Sequence, residues 1–506
     1  MKKSLTLILA LMMLISVLAC CNTESGTPKQ TTNGATTNDV GDETSGVIDD
    51  QDPVGFYDTI EKRKAVSDGL PNKTFDGETF RILTTDWHTG HYFVEAEDAN
   101  NTVDSAKYNR NLTVAERFDC EIVVAKEVMH GKLQGTLEAD LASGECNYDL
   151  VAGHVMTMGE ITQNDYFMNW YDVPYVDFEK PWWSQSNIND LTYMGACFIA
   201  VGDFVISSIA NTWCVYYNKD LGANWGIEDN LYEIVDEGKF TLDYLGELTK
   251  DIYEDIDKNS LYDEADLYGY VSGNGSALVT YTWSLNNPIF KKDGDTLEYV
   301  FNSEKVVDIL EKLRHYFHDV EGITCGTTYN EVYGSQKFAA SQAVFANGSL
   351  ADSMSTFAKM ENYAILPYPK WDEAQENYYT VVDGGHDALG VPNSVMAADR
   401  TEFVGIITEA LNAESFKQVI LPYYEQALKL RGTRDDESLK TIDLIVSSRV
   451  FDFGFVYDGW KGAAFVLGGL INDPYTEFSS KYAELETQIT TRYEEVIAYF
   501  EQAASN

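Results

Sequence analysis

The sequence predicts an α/β protein whose main body folds as two domains. Strand and helix patterns alternate from residue 75 to residue 154, in the order strand, helix, strand, helix, strand. This order is typical of a parallel sheet with helical connections. The body contains about 450 residues, too many for one hydrophobic core. Apolar residues make up 44% of the chain and aromatic residues 13%, which indicates a well-packed globular protein.

The amino terminus has the pattern of a secretory signal. Lys2 and Lys3 precede an uncharged apolar run over residues 4–18, which is shorter than the roughly 20 residues of a membrane-spanning helix. The run ends in the letters VLAC, which resemble a bacterial lipobox. Cys20 fits as the lipidated residue better than Cys21, because the small Ala19 precedes it. We predict a lipoprotein signal peptide over 1–19; a plain signal peptide or a buried helix is the alternative.

The next segment predicts a flexible tether. Residues 22–51 contain no aromatic residue and are rich in Thr, Asn, Gly, Ser and Asp. Such a segment buries too little apolar area to offset the entropy of ordering it. We therefore expect residues 20–52 to be a lipid anchor and leash that hold the body at the extracellular face of a bacterial cell membrane.

The charge balance excludes one class of partner. The chain has 36 Lys plus Arg against 81 Asp plus Glu, a formal net charge of −45. Binding to nucleic acid requires basic surface, so a nucleic-acid partner is not expected. The same acidity disfavours electrostatic docking on anionic lipid, and membrane contact is expected through the lipid anchor only.

Five cysteines beyond the lipid site are scattered without CxxC spacing, which predicts buried small apolar residues rather than a metal site or a disulfide framework. They are Cys120, Cys146, Cys197, Cys214 and Cys325.

The ends of the predicted parallel strands supply the first candidate binding residues. Ligands of open parallel sheets lie beyond the carboxyl ends of the strands. The first strand ends in Asp86, Trp87 and His88, and the third ends in His154. Further along, we predict a helix that begins at Thr241, a strand over the letters NYAILPYPK and an amphipathic helix near the carboxyl terminus.

Several segments resemble, in the same order, those of family 1 extracellular solute-binding proteins of ABC importers. They are FRILTTDW, YNRNLTVAERFDCEIVV, NYDLVAGH, YYNKDLGANWGI, FAASQAVFANGSL and YAILPYPK. Together they cover roughly residues 75–410, and the segment after Ala410 departs from the shorter family members.

The resemblance implies a periplasmic-binding-protein-like fold of type II, in which two discontinuous α/β lobes are joined by crossing strands. Lobe 1 is expected over 75–200 plus 330–360, and lobe 2 over 205–325 plus 365–500. It also implies a monomer without catalytic activity that captures a solute, an oligosaccharide by analogy, and delivers it to ABC permease subunits and an ATPase.

Aromatic residues are candidates for contact with sugar rings, whose C–H faces stack on aromatic side chains while their hydroxyls need polar partners. The motif GGHD, which ends in Asp387, adds glycines that let the backbone approach a ligand. The candidate ligand-binding residues are Asp86, Trp87, His88, His154, Trp213, Trp283, Asp387 and Trp460. Other members of the aromatic set are Tyr92, Trp170, Trp182 and Trp183.

The segment DIDKNSLYDEADLYG has the spacing of an EF-hand-like calcium loop. The residues at positions 1, 3, 5, 7, 9 and 12 are Asp255, Asp257, Asn259, Leu261 (through its carbonyl), Asp263 and Asp266. Ser260 replaces the usual glycine, and Lys258 adds a competing charge. A structural Ca²⁺ site and a solvated acidic loop both remain open; no other cofactor is expected.

An enzymatic function has little support in the sequence. No GxSxG, HExxH, Walker A or GxGxxG motif is present, and the seven histidines form no cluster with ligand spacing. A surface-anchored glycoside hydrolase, with two carboxyl groups across a cleft, and a glycan-binding protein without a transporter are the alternatives.

Overall fold

The computed structural model describes residues 59–98, 101–326, 330–429, 436–458 and 462–505. The predicted signal peptide, Cys20 and the tether over 20–52 lie outside these ranges, as does Trp460. None of the helices in the described ranges has the length and apolarity of a membrane span.

The strands, in chain order, are β1 (Glu78–Thr85), β2 (Cys120–Val128), β3 (Leu150–His154), β4 (Trp213–Asn218), β5 (Tyr253–Glu254), β6 (Leu267–Ser272), β7 (Phe290–Asp293), β8 (Thr296–Tyr299), β9 (Ile323–Cys325), β10 (Ala343–Ser349), β11 (Tyr363–Leu366), β12 (Thr380–Val381), β13 (Asp387–Gly390) and β14 (Arg449–Val450).

The helices are α1 (Ile60–Lys64), α2 (Thr89–Tyr92), α3 (Thr102–Phe118), α4 (Leu133–Ser143), α5 (Val155–Ile161), α6 (Gln185–Leu191), α7 (Ser207–Ala210), α8 (Lys219–Asn224), α9 (Leu231–Asp236), α10 (Leu242–Thr249), α11 (Ser276–Val279), α12 (Tyr281–Ser284), α13 (Glu304–Asp319), α14 (Tyr333–Ala339), α15 (Ser394–Ala397), α16 (Thr401–Gln418), α17 (Ile420–Lys429), α18 (Asp436–Ser447), α19 (Phe453–Asp458), α20 (Val466–Ile471) and α21 (Phe478–Ser505).

The first sheet confirms the strand and helix order predicted for residues 75–154. Its strand order is β13-β3-β1-β2, and β1 pairs in parallel with both β2 and β3. The helix α3 begins where the Asn101 side chain accepts the backbone N–H groups of Val103 and Asp104, and it ends at Asp119 in the left-handed conformation. Asn101 thus satisfies two donors of the first helical turn, and Asp119 turns the chain directly into β2.

The second sheet is mixed, with the order β11-β4-β10-β6-β5 and β9 beside β6. Its strand β10 pairs antiparallel with β4 and parallel with β6. We refer to the first sheet with its helices as lobe 1 and to the second sheet with its helices as lobe 2. The two-lobed α/β fold class predicted from the sequence is confirmed.

Two strands belong to a different sheet from the one expected from the predicted lobe ranges. The strand β10, within the range 330–360, belongs to the second sheet, and β13, within the range 365–500, belongs to the first. Helix α16 also packs on α3 of lobe 1. Backbone pairing decides these memberships, and hydrophobic periodicity along one strand does not identify its partner.

Two crossing segments that connect the lobes pair with each other. The bridges are Ala200 with Leu389 and Thr212 with Val382, both antiparallel. The segment over 193–204 takes part through isolated bridges. The tail after Ala410 returns to this region, because β14 pairs with β12 and α19 packs on α5.

The fully buried carboxylate of Asp149 connects three elements of lobe 1. Asp149, just before β3, accepts hydrogen bonds from the Arg81 guanidinium at 3.0 and 3.1 Å and from Arg400 Nε at 2.6 Å. Arg81 lies on β1, and Arg400 immediately precedes α16. The Asp149 side chain is 0% exposed, whereas its two partners reach partly into solvent.

We expect Asp149→Asn to lower the free energy of unfolding by about 3 kcal/mol, because it leaves two guanidinium groups without their common counter-charge. Urea denaturation measures this change. The control is Glu402→Gln, which removes an exposed ion pair with Lys73 and should cost less than about 1 kcal/mol. Equal effects of the two substitutions would contradict the role given to Asp149.

Candidate functional site

A cavity of about 340 Å³ lies where the two sheets and the crossing segments meet. Lobe 1 contributes residues after β1 and at the end of β3, and lobe 2 contributes residues at the start of α11 and just before α14. The lining residues are Trp87, His91, His154, Met156, Asn211, Ser276, Glu331, Asp383, Gly384, Gly385 and Phe465. The cavity therefore occupies the place at which open parallel sheets bind ligands.

Trp87 presents its ring at the edge of this cavity. It follows β1 by two residues with a left-handed backbone (φ 60°), and its side chain is 59% exposed. The indole stacks beside His88 at 5.7 Å between ring centroids and meets the edge of His130 at 5.4 Å. A large aromatic residue held open to solvent by its neighbours can stack on a flat apolar surface of a ligand.

Asp86 fixes the loops of lobe 1 rather than lining the cavity. Its backbone N–H donates to the Val128 carbonyl at 2.7 Å, and its Oδ1 accepts the backbone N–H of His130 at 2.6 Å. These two bonds join the end of β1 to the loop that follows β2. They hold the backbone from which Trp87 projects.

Asp387 connects two histidines below the cavity. Its Oδ1 accepts from His88 Nδ1 at 2.6 Å, its Oδ2 accepts from His91 Nδ1 at 2.7 Å, and the Ser207 hydroxyl also donates to Oδ2. Burial alone would raise the pKa of Asp387, but the hydrogen bonds from both histidines outweigh burial and hold it well below its usual range. The carboxylate is thus ionised, and each Nδ1 carries the shared proton.

Five of the seven histidines gather at this end of the first sheet, contrary to the expectation from their spacing in the sequence. Ring centroids of His88 and His154 lie 5.8 Å apart, and those of His130 and His154 lie 5.4 Å apart. Burial lowers the pKa of His154 to about 3, with further repulsion from His88, and burial lowers the pKa of His386 to about 4. These two imidazoles are therefore neutral at physiological pH.

The opposite wall of the cavity is acidic. Glu331 Oε1 accepts from the backbone N–H of Ser276 at 3.1 Å and from its hydroxyl at 2.6 Å. Asp383, on the crossing segment, accepts the Gly385 N–H at 2.8 Å. Burial raises the pKa of Asp383, and the charge of Glu331 raises it further, while the hydrogen bond from the Gly385 N–H acts in the opposite direction. The two carboxyl groups therefore interact with each other.

No lysine or arginine is among the described residues that line the cavity. The lining combines carboxylate and amide oxygens, imidazoles and the rings of Trp87 and Phe465. Such a set can accept hydrogen bonds from hydroxyl or ammonium groups and can stack on an apolar ring face. Its described members include no lysine or arginine that could pair with an anionic ligand.

Three solved structures with this architecture are similar to the chain over most of its length. The GacH receptor of Streptomyces glaucescens GLA.O, solved unliganded and with acarbose, has a TM-score of 0.51 at 11% identity, over 80% of this chain and 96% of that chain. A cyclo/maltodextrin-binding protein complexed with maltotetraose has a TM-score of 0.51 at 16% identity, over 87% and 98%. The maltose/maltodextrin-binding domain MalE from Bdellovibrio bacteriovorus, bound to maltotriose, has a TM-score of 0.50 at 12% identity, over 85% and 100%.

The chain has the maltodextrin-binding-protein fold. At these identities the likeness establishes the fold alone. Neither a protein-family model nor a curated protein matches the sequence.

Within the maltodextrin-binding-protein fold, the predicted tryptophans take two different places. Trp213 begins β4, is buried and lies beside Asp383. Trp283 is 1% exposed and donates its indole N–H to Asp452 at 2.9 Å, so its polar group is already satisfied within the core. Trp283 does not line the cavity, and Trp460 lies outside the described residues.

Other aromatic candidates belong to the core of lobe 1. Trp182 and Trp183 both donate indole N–H groups to Glu409 on α16, at 2.8 and 2.9 Å. Trp170 and Tyr92 are fully buried as well. Because these side chains are buried in the core, they do not contribute to the aromatic surface of the cavity.

Glycine at position 384 is required by close packing behind the cavity. A Cβ atom there would lie 2.2 Å from the Met156 sulfur and 3.2 Å from the Phe455 ring. The glycine therefore lets the crossing segment approach α5 closely, whereas the GGHD motif was expected to let the backbone approach a ligand. This approach positions Asp383 beside the cavity.

Four lining residues had no signal in the sequence: Glu331, Ser276, Asn211 and Phe465. Each comes from a different segment, and none stands in a motif. Asp383 could have been found, since it directly precedes the GGHD motif already singled out. The other four become neighbours only through the crossing of the chain between sheets.

A larger groove of about 730 Å³ lies between α5 and α21. Arg492 in this groove donates to the carbonyls of Tyr457 and Glu160, at 2.7 and 3.0 Å. The groove does not join the two sheets. The cavity at the strand ends is therefore the better candidate site in this fold.

We expect stability to fall as the pH is lowered from 6.5 towards about 4. The folded-state pKa values of His154 and His386 are depressed, so the unfolded chain binds more protons in this range and is favoured. Urea denaturation at a series of pH values measures the slope of the free energy of unfolding against pH. The His386→Gln substitution should reduce this slope by the contribution of about one proton, which is roughly 1.4 kcal/mol per pH unit.

The control for this experiment is His315→Gln, because the side chain of His315 is 65% exposed on α13. It should leave the slope unchanged. A His386→Gln protein with the slope of the unmodified protein would show that His386 does not remain neutral in the folded state.

Proposed function

We propose that this protein is a substrate-binding lipoprotein that captures a solute, an oligosaccharide or related sugar, between its lobes. The observation that carries the proposal is the position of the cavity. Trp87 from lobe 1 and Glu331 from lobe 2 line one space, with Asp383 on a segment that crosses between the lobes. A ligand held there contacts both lobes at once and favours their closed arrangement.

The lining favours a particular class of solute. Trp87 and Phe465 can stack on the C–H faces of sugar rings, while Glu331, Asp383 and Asn211 can bind hydroxyl groups. The acarbose, maltotetraose and maltotriose complexes of proteins with this fold support a sugar. Because the described lining contains carboxylates and no Lys or Arg, we infer a neutral or amino sugar in preference to an acidic one.

Capture in this proposal needs no covalent chemistry. The paired crossing segments, joined by the Ala200–Leu389 and Thr212–Val382 bridges, form the hinge in this proposal. Closure excludes water from the carboxylates and strengthens their hydrogen bonds to the solute. The closed form would then dock on the permease subunits of an ABC importer that is driven by its ATPase.

The remaining proposals concern location and assembly. The lipobox-like sequence and the polar tether support attachment through Cys20 at the extracellular face of a bacterial membrane. The body acts as a monomer, and the lipid is its membrane contact.

We expect Trp87→Ala to weaken binding of the recognised sugar about tenfold, because a stacking contact contributes about 1.5 kcal/mol. Detergent-solubilised full-length protein is first screened by thermal unfolding against neutral malto-oligosaccharides, amino sugars and uronic-acid oligosaccharides. A ligand that binds only the folded state raises the midpoint, and calorimetric titration then gives the affinities. Glu331→Gln should also weaken binding, because it replaces one carboxyl oxygen, a hydrogen-bond acceptor, with an amide NH₂ group that can only donate.

The matched control is Trp225→Ala, which removes another partly exposed tryptophan, 39% exposed, outside the cavity lining. It should leave the affinity unchanged. Equal affinities of the Trp87→Ala and unmodified proteins would refute the assigned site. Turnover of an oligosaccharide by the pure protein would instead favour a glycoside hydrolase.

We expect Cys20→Ser to abolish incorporation of labelled palmitate and to release the protein into the medium. Cys21→Ser is the matched control, since it leaves the small Ala19 before Cys20 unchanged, and it should retain both label and membrane attachment. Labelling of the Cys20→Ser protein, followed by membrane fractionation, measures the effect. If the Cys20→Ser protein still carried the lipid, Cys21 would be the lipidated residue.

A further inference from the structure

The acidic loop between β5 and β6 brings three carboxylates together on one side of lobe 2. One oxygen from each of Asp255, Asp257 and Asp266 lies within 4.8 Å of the others. The backbone N–H groups of Asn259 and Ser260 donate to Asp255 at 3.2 and 2.8 Å. The loop therefore folds back on its first carboxylate, as its spacing in the sequence predicts. Clustered acidic groups alone do not make a site, because exposed carboxylates are common without an ion.

Asp266 supplies an independent observation. It is 0% exposed, and its Oδ1 has no hydrogen-bond donor among the described residues. Its Oδ2 accepts from the Tyr253 hydroxyl at 2.9 Å and from the Asp263 N–H at 3.0 Å. A buried carboxylate oxygen without a partner is costly, since it has lost its water and gained nothing in exchange.

Lys337 does not fill this gap. Lys337, on α14, donates to the backbone carbonyls of Glu264 and Asp266, at 2.5 and 2.8 Å, and to the Gln342 side chain. It holds the backbone of the loop, and no ion pair with a carboxylate of the loop is among its contacts. Lys337 thus holds the loop backbone, while Oδ1 of Asp266 still has no partner in the part of the chain that the structure describes.

We propose that this loop is a Ca²⁺ site in which Asp255, Asp257 and Asp266 are the carboxylate ligands and Asn259, the Leu261 carbonyl and Asp263 complete the oxygen shell. Every candidate donor is a hard oxygen, which suits Ca²⁺ rather than a metal that prefers nitrogen or sulfur. The six donors come from one short loop of irregular geometry, which suits Ca²⁺ better than the strictly octahedral Mg²⁺.

The position of the site gives it a structural role. Asp266 immediately precedes β6, which lies between β10 on one side and β5 and β9 on the other. The solute cavity lies beyond the opposite end of the same strand, where Ser276 follows. Calcium is thus expected to stabilise the second sheet, and this inference stands or falls separately from the proposed solute binding.

The test uses Tb³⁺ as a luminescent substitute for Ca²⁺ on full-length protein treated with chelator. Tyr253 and Tyr262 stack at 4.5 Å beside the loop, so excitation of tyrosine should sensitise Tb³⁺ bound there. We expect saturable luminescence that Ca²⁺ displaces and an excess of Mg²⁺ does not. We also expect Ca²⁺ to raise the unfolding midpoint in the absence of any sugar.

Asp257→Asn is the first variant, because Asp257 is exposed and its replacement should not disturb folding. The affinity for Ca²⁺, measured by its displacement of Tb³⁺, should fall about tenfold or more, because the affinity depends on the number of charged ligands. The control is Asp229→Asn, which alters another exposed aspartate, one that accepts a hydrogen bond from the Tyr244 hydroxyl. It should leave the Ca²⁺ affinity unchanged. Luminescence that is absent, or identical in both variants and the unmodified protein, would overturn the proposal.

Discussion

The return of the chain to the first sheet places the fully buried carboxylate of Asp387 beside the loop that follows β1. In the register of the sheet, Asp387 lies opposite His154, and its oxygens bind His88 and His91. One ionised group thus joins a crossing segment, the end of β3 and the loop that carries Trp87. The geometry of the cavity depends on this contact, because the same loop and the same crossing segment supply two of its walls.

Carboxylates have three different roles in this strongly acidic chain, and their surroundings decide which. Asp149 and Asp387 are satisfied by cationic groups or imidazoles and connect elements of lobe 1. Glu331 and Asp383 line the cavity without a lysine or arginine beside them in the described lining. Asp266 is buried with an oxygen that no described residue satisfies. Asp266 is thus the carboxylate for which an ion supplies what the described residues do not.

Local structure was predictable because it depends on near neighbours in the chain. The helix that begins at Thr241 is present as α10, and the Thr241 side chain accepts the Tyr244 N–H at 3.1 Å. The carboxyl-terminal helix α21 buries Tyr482, Ile489 and Phe500 at the predicted helical spacing. Trp87 was identified from its place after the first strand. Trp283 was the opposite case, since nothing in its local sequence indicated that Asp452 would satisfy its indole N–H.

The sequence by itself determined the identity of most elements, the parallel order of the first three strands and the position of Trp87 at a strand end. Only the tertiary structure decided that β10 joins the second sheet, that β13 joins the first, and that Trp87, Glu331 and Asp383 share one cavity. The physical reason is that hydrophobic periodicity records which face of an element is buried. It carries no information on which distant strand completes the hydrogen bonds of its backbone.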